Sequence, residues 1–390
     1  MSLRRCTGHY VPGSLAGSRY QAFVPDPLPP EPPLQLAAPP LIARKEQADQ
    51  ALGRLDGITL MLPDPELFLY HYVRKEAVLS SQIEGTQSSL SDLLLFELDE
   101  APGVPLDDVE EVSNYVAALN HGLRRLRQDD FPLSLRLIRE MHALLLQGGR
   151  GAGKRPGEFR SGQVWIGGAS PALAHFVPPP PEALDAALTA FERFLHAPDR
   201  DVSPLVKAAL AHVQFETIHP FSDGNGRLGR LLIALILCNE GVLRAPSLYL
   251  SLFFKRHRAR YYERLNAVRT EGDWEGWLDF FLEGVADTAQ QAVTTAQRLL
   301  ALLAADRARI AGLGTRAGNV GLVFEQFAHR VLLGVPQVLP HLPLSAPTIR
   351  AAIRTLQDLD IVNELTGQQR HRVFAYQAYL DILSEGAQPL

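Results

Sequence analysis

The 390-residue sequence is short of the residues that mark several protein classes. It holds 2 cysteines, Cys6 and Cys238, too few for a disulfide framework. Cys238 falls in an apolar helical run where a small buried thiol is the expected role, and a reducing cytoplasm is the expected compartment. Long hydrophobic runs are missing too. The longest, Leu231 to Cys238, falls far short of the ~20 residues that span a bilayer, so no membrane partner is expected. Met1 to Gly13 carries Arg4 and Arg5 but no apolar core, so it is not read as a secretory signal. Charge of one sign is also lacking: 38 Lys+Arg against 43 Asp+Glu leave a net charge of -5, which gives no global basic field for nucleic acid. What is present is a hydrophobic content of 46%, enough for two or three domains with a sizeable core.

Chemistry concentrates in one span, His219-Pro220-Phe221-Ser222-Asp223-Gly224-Asn225-Gly226-Arg227-Leu228-Gly229-Arg230. Gly224 and Gly226 can adopt backbone angles closed to other residues, so successive N–H groups can converge on an anion where the helix from Arg227 to Asn239 begins. Arg230 follows Arg227 by about one helical turn, so both guanidinium groups can reach one polyphosphate. Asp223 offers a hard oxygen suited to Mg²⁺ shared with phosphate. His219, neutral near pH 7 and fixed by Pro220, can take a proton from a hydroxyl. A Gly-Asn-Gly triplet alone is usually a turn and a lone His structural. Their concentration in one span points to attack by a hydroxyl on a nucleotide phosphorus.

This span resembles the signature of Fic domains, enzymes that mostly transfer AMP from ATP to a protein hydroxyl, at His219, Phe221, Asp223, Gly224, Asn225, Gly226, Arg227 and Arg230. The resemblance implies His219 as general base, Asp223 as Mg²⁺ ligand, an anion hole at Gly224, Asn225 and Gly226, and Arg230 on the γ-phosphate. The nucleotide-binding set implied runs through Arg227, Leu228 and Gly229 to Arg230. The related Doc kinases lack the Gly-Asn-Gly and the final Arg, which favours nucleotidyl over phosphoryl transfer.

A second stretch, Ser80-Ser81-Gln82-Ile83-Glu84-Gly85, ends an amphipathic segment from Pro65 in which Leu67, Tyr70, Val73 and Val78 recur at helical spacing. Gly85 is placed to end that helix, and Ser80 and Glu84, at i and i+4, share a face. Beside the signature, this resembles the inhibitory motif of self-restrained Fic proteins, in which the Glu pairs with the last Arg. That Arg is Arg230.

Elsewhere the pattern is mainly helical. Residues 1 to about 40 are Pro-rich and expected to lie extended on the surface. Helices are expected over 106–126, after an N-capping Ser134, and over 181–197 and 203–217. The convincing β element of the core is a hairpin of Gly162 to Gly168 with Ala174 to Val177. After Pro156 to Ser161 it resembles the Fic flap, where Val164, Trp165 and Ile166 present an edge to the target segment. The second residue of the pair Tyr261-Tyr262 is implied to meet the nucleotide, and Arg269 to stand near it. Residues 286–312 read as a helical connector.

In the tail, a helix capped by Ser345 and then a hairpin through Ile361 to Tyr376 suggest a winged helix. There Arg350, Arg354, Arg370 and Arg372 face Asp358, Asp360 and Glu364. That mix favours a protein-docking or homodimer-positioning wing over DNA binding.

The fold class expected is mainly α: residues 1–104 an N-terminal arm and helical region with the inhibitory motif, 105–285 the Fic catalytic domain, 286–318 the connector and 319–390 a winged helix. The function implied is Mg²⁺-dependent adenylylation of Ser, Thr or Tyr hydroxyls on a protein target, with ATP as co-substrate and Glu84 as brake. Two alternatives stand beside it: hydrolytic removal of AMP at the same site with Glu84 orienting water, and a DNA-binding regulator whose Fic core senses nucleotide.

Overall fold

The structure, a computed structural model, describes residues 5–15, 17–61, 65–98, 104–197, 202–367 and 372–388. Its first element adds pairing to the extended Pro-rich arm that was expected. A β-hairpin forms from β1 (Gly8–Leu15) and β2 (Ser18–Pro25), in register from Gly8 opposite Pro25 to Leu15 opposite Ser18. The prolines from 27 to 40 follow the hairpin, while Pro25 closes its ladder opposite Gly8 and Pro12 lies within it opposite Gln21. The arm is tied down rather than loose. Arg5 donates to Glu275 Oε1 at 2.7 Å and to the carbonyls of Pro32 and Pro33, and Gln214 Nε2 donates to Asp26 O at 2.8 Å.

The helices follow in order: α1 (Pro39–Met61), α2 (Pro65–Ile83), α3 (Leu90–Phe96), α4 (Leu106–Arg127), α5 (Leu135–Leu145), α6 (Pro181–Leu195), α7 (Pro204–Ile218), α8 (Asn225–Asn239), α9 (Ser251–Arg256), α10 (Arg258–Glu271) and α11 (Trp274–Ala311). The sequence marks their starts. Ser134 accepts from the Leu137 N–H at the head of α5, and Pro181 and Pro204 occupy first turns, where a missing N–H costs nothing. Every residue of α7 from Leu205 to Ile218 is buried, as is nearly all of α8. These two apolar helices pair as the central hairpin. α4 and α5 pack on α8, α6, α10 and α11 on α7, and α2 reaches α8 from the N-terminal side. The loop between α7 and α8 is the span carrying His219 and Asp223, so its chemistry sits between two rods that the core holds rigidly.

α11 is one continuous helix whose buried residues run from Trp274 to Ile310. The boundary drawn at 285/286 therefore falls inside it. Its distal half packs on α1 instead of bridging solvent, because Ala289, Ala292, Val293, Ala296, Leu299 and Leu303 repeat at helical spacing along one face.

The tail comprises α12 (Ala317–Arg330), β3 (Leu332–Gly334), α13 (Val335–Val338), α14 (Ala346–Asp358), β4 (Asn363–Glu364), β5 (Val373–Ala375) and α15 (Gln377–Ser384). The strands form an antiparallel sheet of order β3-β5-β4, and Ser345 caps α14 as expected. The side chain of Leu67 and all of Arg370 lie outside the described residues. Among the described residues no helix is long and apolar enough to cross a membrane.

Candidate active site at the junction of two central helices

His219 ends α7 in a left-handed conformation, φ 49°, with its N–H still donating to Phe215 O at 2.9 Å. A non-glycine residue there carries strain, which the surroundings must hold in place. Arg160, buried, does so. Its Nε donates to His219 O at 2.8 Å, its terminal nitrogen to Pro179 O at 2.6 Å and Ile218 O at 3.3 Å, and its backbone N–H to Pro220 O at 2.9 Å. Burial, with the charges of Arg160 and Arg269, lowers the His219 pKa to about 4. The imidazole is therefore neutral at pH 7, the state a general base requires.

The loop is braced from inside. Phe221 is fully buried and stacks on His142 with ring centroids 3.7 Å apart. His142 Nδ1 accepts from Gly157 N–H at 2.9 Å, so Nε2 carries the proton and donates to Asp223 O at 3.0 Å. Asn225 spends its side chain on the loop: Oδ1 accepts from Phe221 N–H and Nδ2 donates to Phe221 O, both at 2.9 Å. Asn225 thus offers an anion only its backbone.

Gly224, φ 76°, caps α8. The first N–H groups of α8 have no carbonyl one turn back and present the positive pole of the helix. Glu84 lies against that pole. A Cβ on Gly226 would stand 2.3 Å from Glu84 Oε1, so only glycine lets the carboxylate approach. Glu84 Oε1 accepts from Arg230 at 2.7 Å across 146 residues of sequence, and Arg230 also donates to Ser80 Oγ at 2.9 Å and Ser80 O at 3.0 Å. Burial alone would raise the Glu84 carboxyl, but the charge and hydrogen bond of Arg230 hold it below the usual carboxylate range. Two further acids stand near Arg230, and burial pushes both Glu76 and Glu216 up to about 7. Glu76 is bonded to Ser251 and, at 3.3 Å, to Tyr115. Glu84 is thus the ionised partner in contact with Arg230.

Three residues of the expected nucleotide-binding set lie differently. Arg227 does not share a target with Arg230; it donates to Glu111 Oε2 at 2.9 Å and to Asp223 Oδ1 at 3.5 Å, with its side chain 5% exposed. Leu228 is wholly in the core, and Gly229 backs onto Phe215 and Glu216 of α7. Helical rotation turns both away from the first-turn N–H groups. Asp223 stands at the mouth, its side chain 42% exposed and its Oδ1 accepting from Gly224 N–H at 2.6 Å.

Tyr262 is 43% exposed near Glu84 and Arg230, whose charges act on its phenol, whereas Tyr261 is buried with its hydroxyl 2.8 Å from His212 Nε2. The flap is less regular than expected. Val164, Trp165 and Ile166 are half-buried, and their only bridge to the return segment is Ile166 with Phe176. Gly167 and Gly168, both at positive φ, bend the chain away before a ladder can extend. The flap gains support from outside itself: Phe23 N–H donates to Val177 O at 2.9 Å, and the Arg269 guanidinium lies 3.9 Å from the centre of the Phe176 ring. Sequence reasoning missed Arg160 and His142 as positioning residues. The compact Pro156 to Ser161 run was the available signal for Arg160, while nothing in the local pattern marks His142.

This arrangement, a helical hairpin with a base, a glycine-opened helix terminus and a captive arginine at its junction, defines a Fic-type domain. Residues 42–124 match the model of the Fic/DOC family N-terminal region and residues 132–237 that of the Fic/DOC family. Over these residues the chain carries both regions of the Fic/DOC family pattern, the N-terminal one and the core. Among curated relatives, "Protein adenylyltransferase Fic" of Aedes aegypti is 30% identical over 249 residues, 62% of this chain and 46% of its own length. That of Nematostella vectensis is 33% identical over 204 residues, 52% and 44% respectively. The chain thus spans about half the length of the curated relatives it matches. A solved Fic family protein from Desulfovibrio desulfuricans shares the fold over 87% of this chain and 96% of its own at TM-score 0.58 and 21% identity. Fic-1 of C. elegans does so over 67% and 75% at 0.52 and 24%.

Proposed function

We propose that this protein transfers AMP from ATP to a Ser, Thr or Tyr hydroxyl of a protein target and is restrained by Glu84. The observation that carries this is the 2.7 Å pair of Glu84 with Arg230, set against the first turn of α8 and beside a neutral His219. The curated relatives named adenylyltransferases support the chemistry. In the proposed step His219 takes the proton of the target hydroxyl, its oxygen bonds to the α-phosphorus, and the bond to pyrophosphate breaks in line. The N–H groups of the α8 first turn hold the phosphates, and Arg230, once freed, meets the γ-phosphate. Tyr262 borders the nucleotide, and the edge of Val164 to Ile166 aligns the target strand.

Asp223 is the residue that would hold Mg²⁺. Among the described residues there is no group of three or more His, Cys, Asp or Glu side chains that could hold a metal. A single half-exposed carboxylate fits an ion that draws its other ligands from phosphate and water. Bound there, Mg²⁺ would neutralise phosphate charge. We assign residues 319–390 to a winged-helix unit on the order helix, strand, helix, helix, strand, strand, with docking to protein or a second copy favoured over DNA. Two free thiols accord with a cytoplasmic setting.

The test is retention of label by Glu84→Gly protein. Radiolabel retained from α-labelled but not γ-labelled ATP is expected. Retention from γ-labelled ATP would mean phosphoryl transfer, and none from either would overturn the proposal.

A further inference from the structure

α2 carries two faces. Glu76, Ser80 and Glu84, spaced by four, turn toward Arg230 and its surroundings. His71, Lys75, Leu79 and Gln82 form a second stripe, rotated by about a quarter turn. That stripe is covered by the C-terminal segment. The Tyr379 ring of α15 stands edge-on to His71 with centroids 5.6 Å apart. Ala387, 3% exposed, packs with Leu79 and Leu252 in a cluster separate from the main core. Gln82 Nε2 donates to Ala387 O at 2.9 Å and to Ser88 O at 2.8 Å, while Lys255 Nζ donates to Gln82 Oε1 at 2.6 Å and also to Gln388 O.

The segment has its own anchor. Both terminal nitrogens of Arg298 on α11 donate to the Glu385 carboxylate at 2.7 Å. Gly386, φ 78°, turns the chain so closely that a Cβ would meet Leu252 Cδ1 at 2.8 Å. The last turn of α2 is therefore gripped from both sides: by α8 through Ser80 and Glu84, and by residues 385–388 through Leu79 and Gln82.

We propose that residues 385–388 are a strap that holds the last turn of α2 in the register where Glu84 reaches Arg230, so that undocking the strap releases the active site. This rests on the inhibited adenylyltransferase reading and supplies its regulation. Coupling follows from geometry. Gln82 lies two residues before Glu84 and is bonded to the strap, and an element shared by two contacts transmits the loss of one to the other. The strap follows directly on α15, so a ligand or second copy that binds the C-terminal unit and draws α15 from α11 and α2 acts as the activating signal.

The test uses Ala387→Arg, which forces a long charged side chain into the Leu79–Leu252 contact, and the milder Glu385→Gln in case the first disturbs folding. Hydrogen exchange of amides 76–86 in the full chain is read without reference to catalysis. Acceleration of at least about tenfold, the factor equivalent to about 1.4 kcal/mol of lost docking, is expected for Ala387→Arg, with a smaller rise for Glu385→Gln. Self-adenylylation should rise with it in the wild-type background and not rise further in Glu84→Gly. Unchanged exchange in both variants, or an equal gain in both backgrounds, would overturn the strap. Inactive Glu84→Gly with accelerated exchange would instead overturn the adenylyltransferase reading and leave the strap standing.

Discussion

Replacing Glu84 by glycine perturbs stability and activity in opposite directions, and the structure sets both magnitudes. Arg230 has a side chain 2% exposed, and Glu84, 38% exposed, is the carboxylate in hydrogen-bond contact with it. Breaking a fully buried pair from one side costs about 3–5 kcal/mol. Here the exposure of Glu84 and the two bonds from Ser80 soften the loss, so about 1–3 kcal/mol of stability should disappear in the nucleotide-free protein. In the proposed mechanism the same energy is what ATP must otherwise overcome to claim Arg230. At about 1.4 kcal/mol per decade, transfer should rise roughly 5- to 150-fold.

The paired assays are thermal unfolding with and without saturating Mg·ATP, and label incorporation from α-labelled ATP. Glu84→Gly should melt below wild type when free, and nucleotide should raise its melting temperature by more than it raises that of wild type, because binding gives the orphaned guanidinium a partner. A variant that melts with wild type when free, gains no more from ATP and transfers no faster would refute the reasoning. Glu84 would then be an ordinary helix-end residue.

His219→Ala in the Glu84→Gly background should lower transfer by ~10²–10⁴ while leaving ATP binding measured by calorimetry intact. Because His219 is held at about 4, the activated enzyme should keep its rate as pH falls from 7 toward 5 and lose it only near 4; an acid limb centred near 6.5 would show an ordinary exposed imidazole. Asp223→Ala should raise the Mg²⁺ concentration needed for half-maximal activity, and an unchanged requirement would remove Asp223 as the ligand. Val164→Pro, which deletes one N–H from the flap edge, should raise the KM for protein target with nucleotide affinity unchanged, whereas equal loss of nucleotide binding would make the flap a structural lid. Arg160→Met should cost kcat more than KM, since the side-chain bonds to His219 O and Ile218 O that fix the turn are lost along with those to Pro179 O and Gly162 O, and a variant with unaltered kcat would show the turn holds without them.

The sequence by itself determined the helical plan and the address of the chemistry. Ser134 and Ser345 cap, Pro181 and Pro204 start, and Gly85 follows the end of α2, because these signals act within a few residues and need no partner from elsewhere. The glycines at 224 and 226 likewise locate a helix terminus with open N–H groups wherever that helix packs. Tertiary structure decided which groups the site keeps. Arg227 and Arg230 are equivalent in sequence, yet Glu111 on α4 holds one and Glu84, just past the end of α2, the other, a sorting that depends on how α2 and α4 dock on α8. Arg160 is legible only as part of a loop, since its side chain acts on carbonyls of residues up to 59 positions away. The N-terminal hairpin escaped detection because its prolines and glycines argue against strand while Phe23 gains a partner in Val177 from the flap. The strap over α2 has no local signature at all. Local rules fix dihedrals and faces, but the contact between distant faces is set by the packing that buries both.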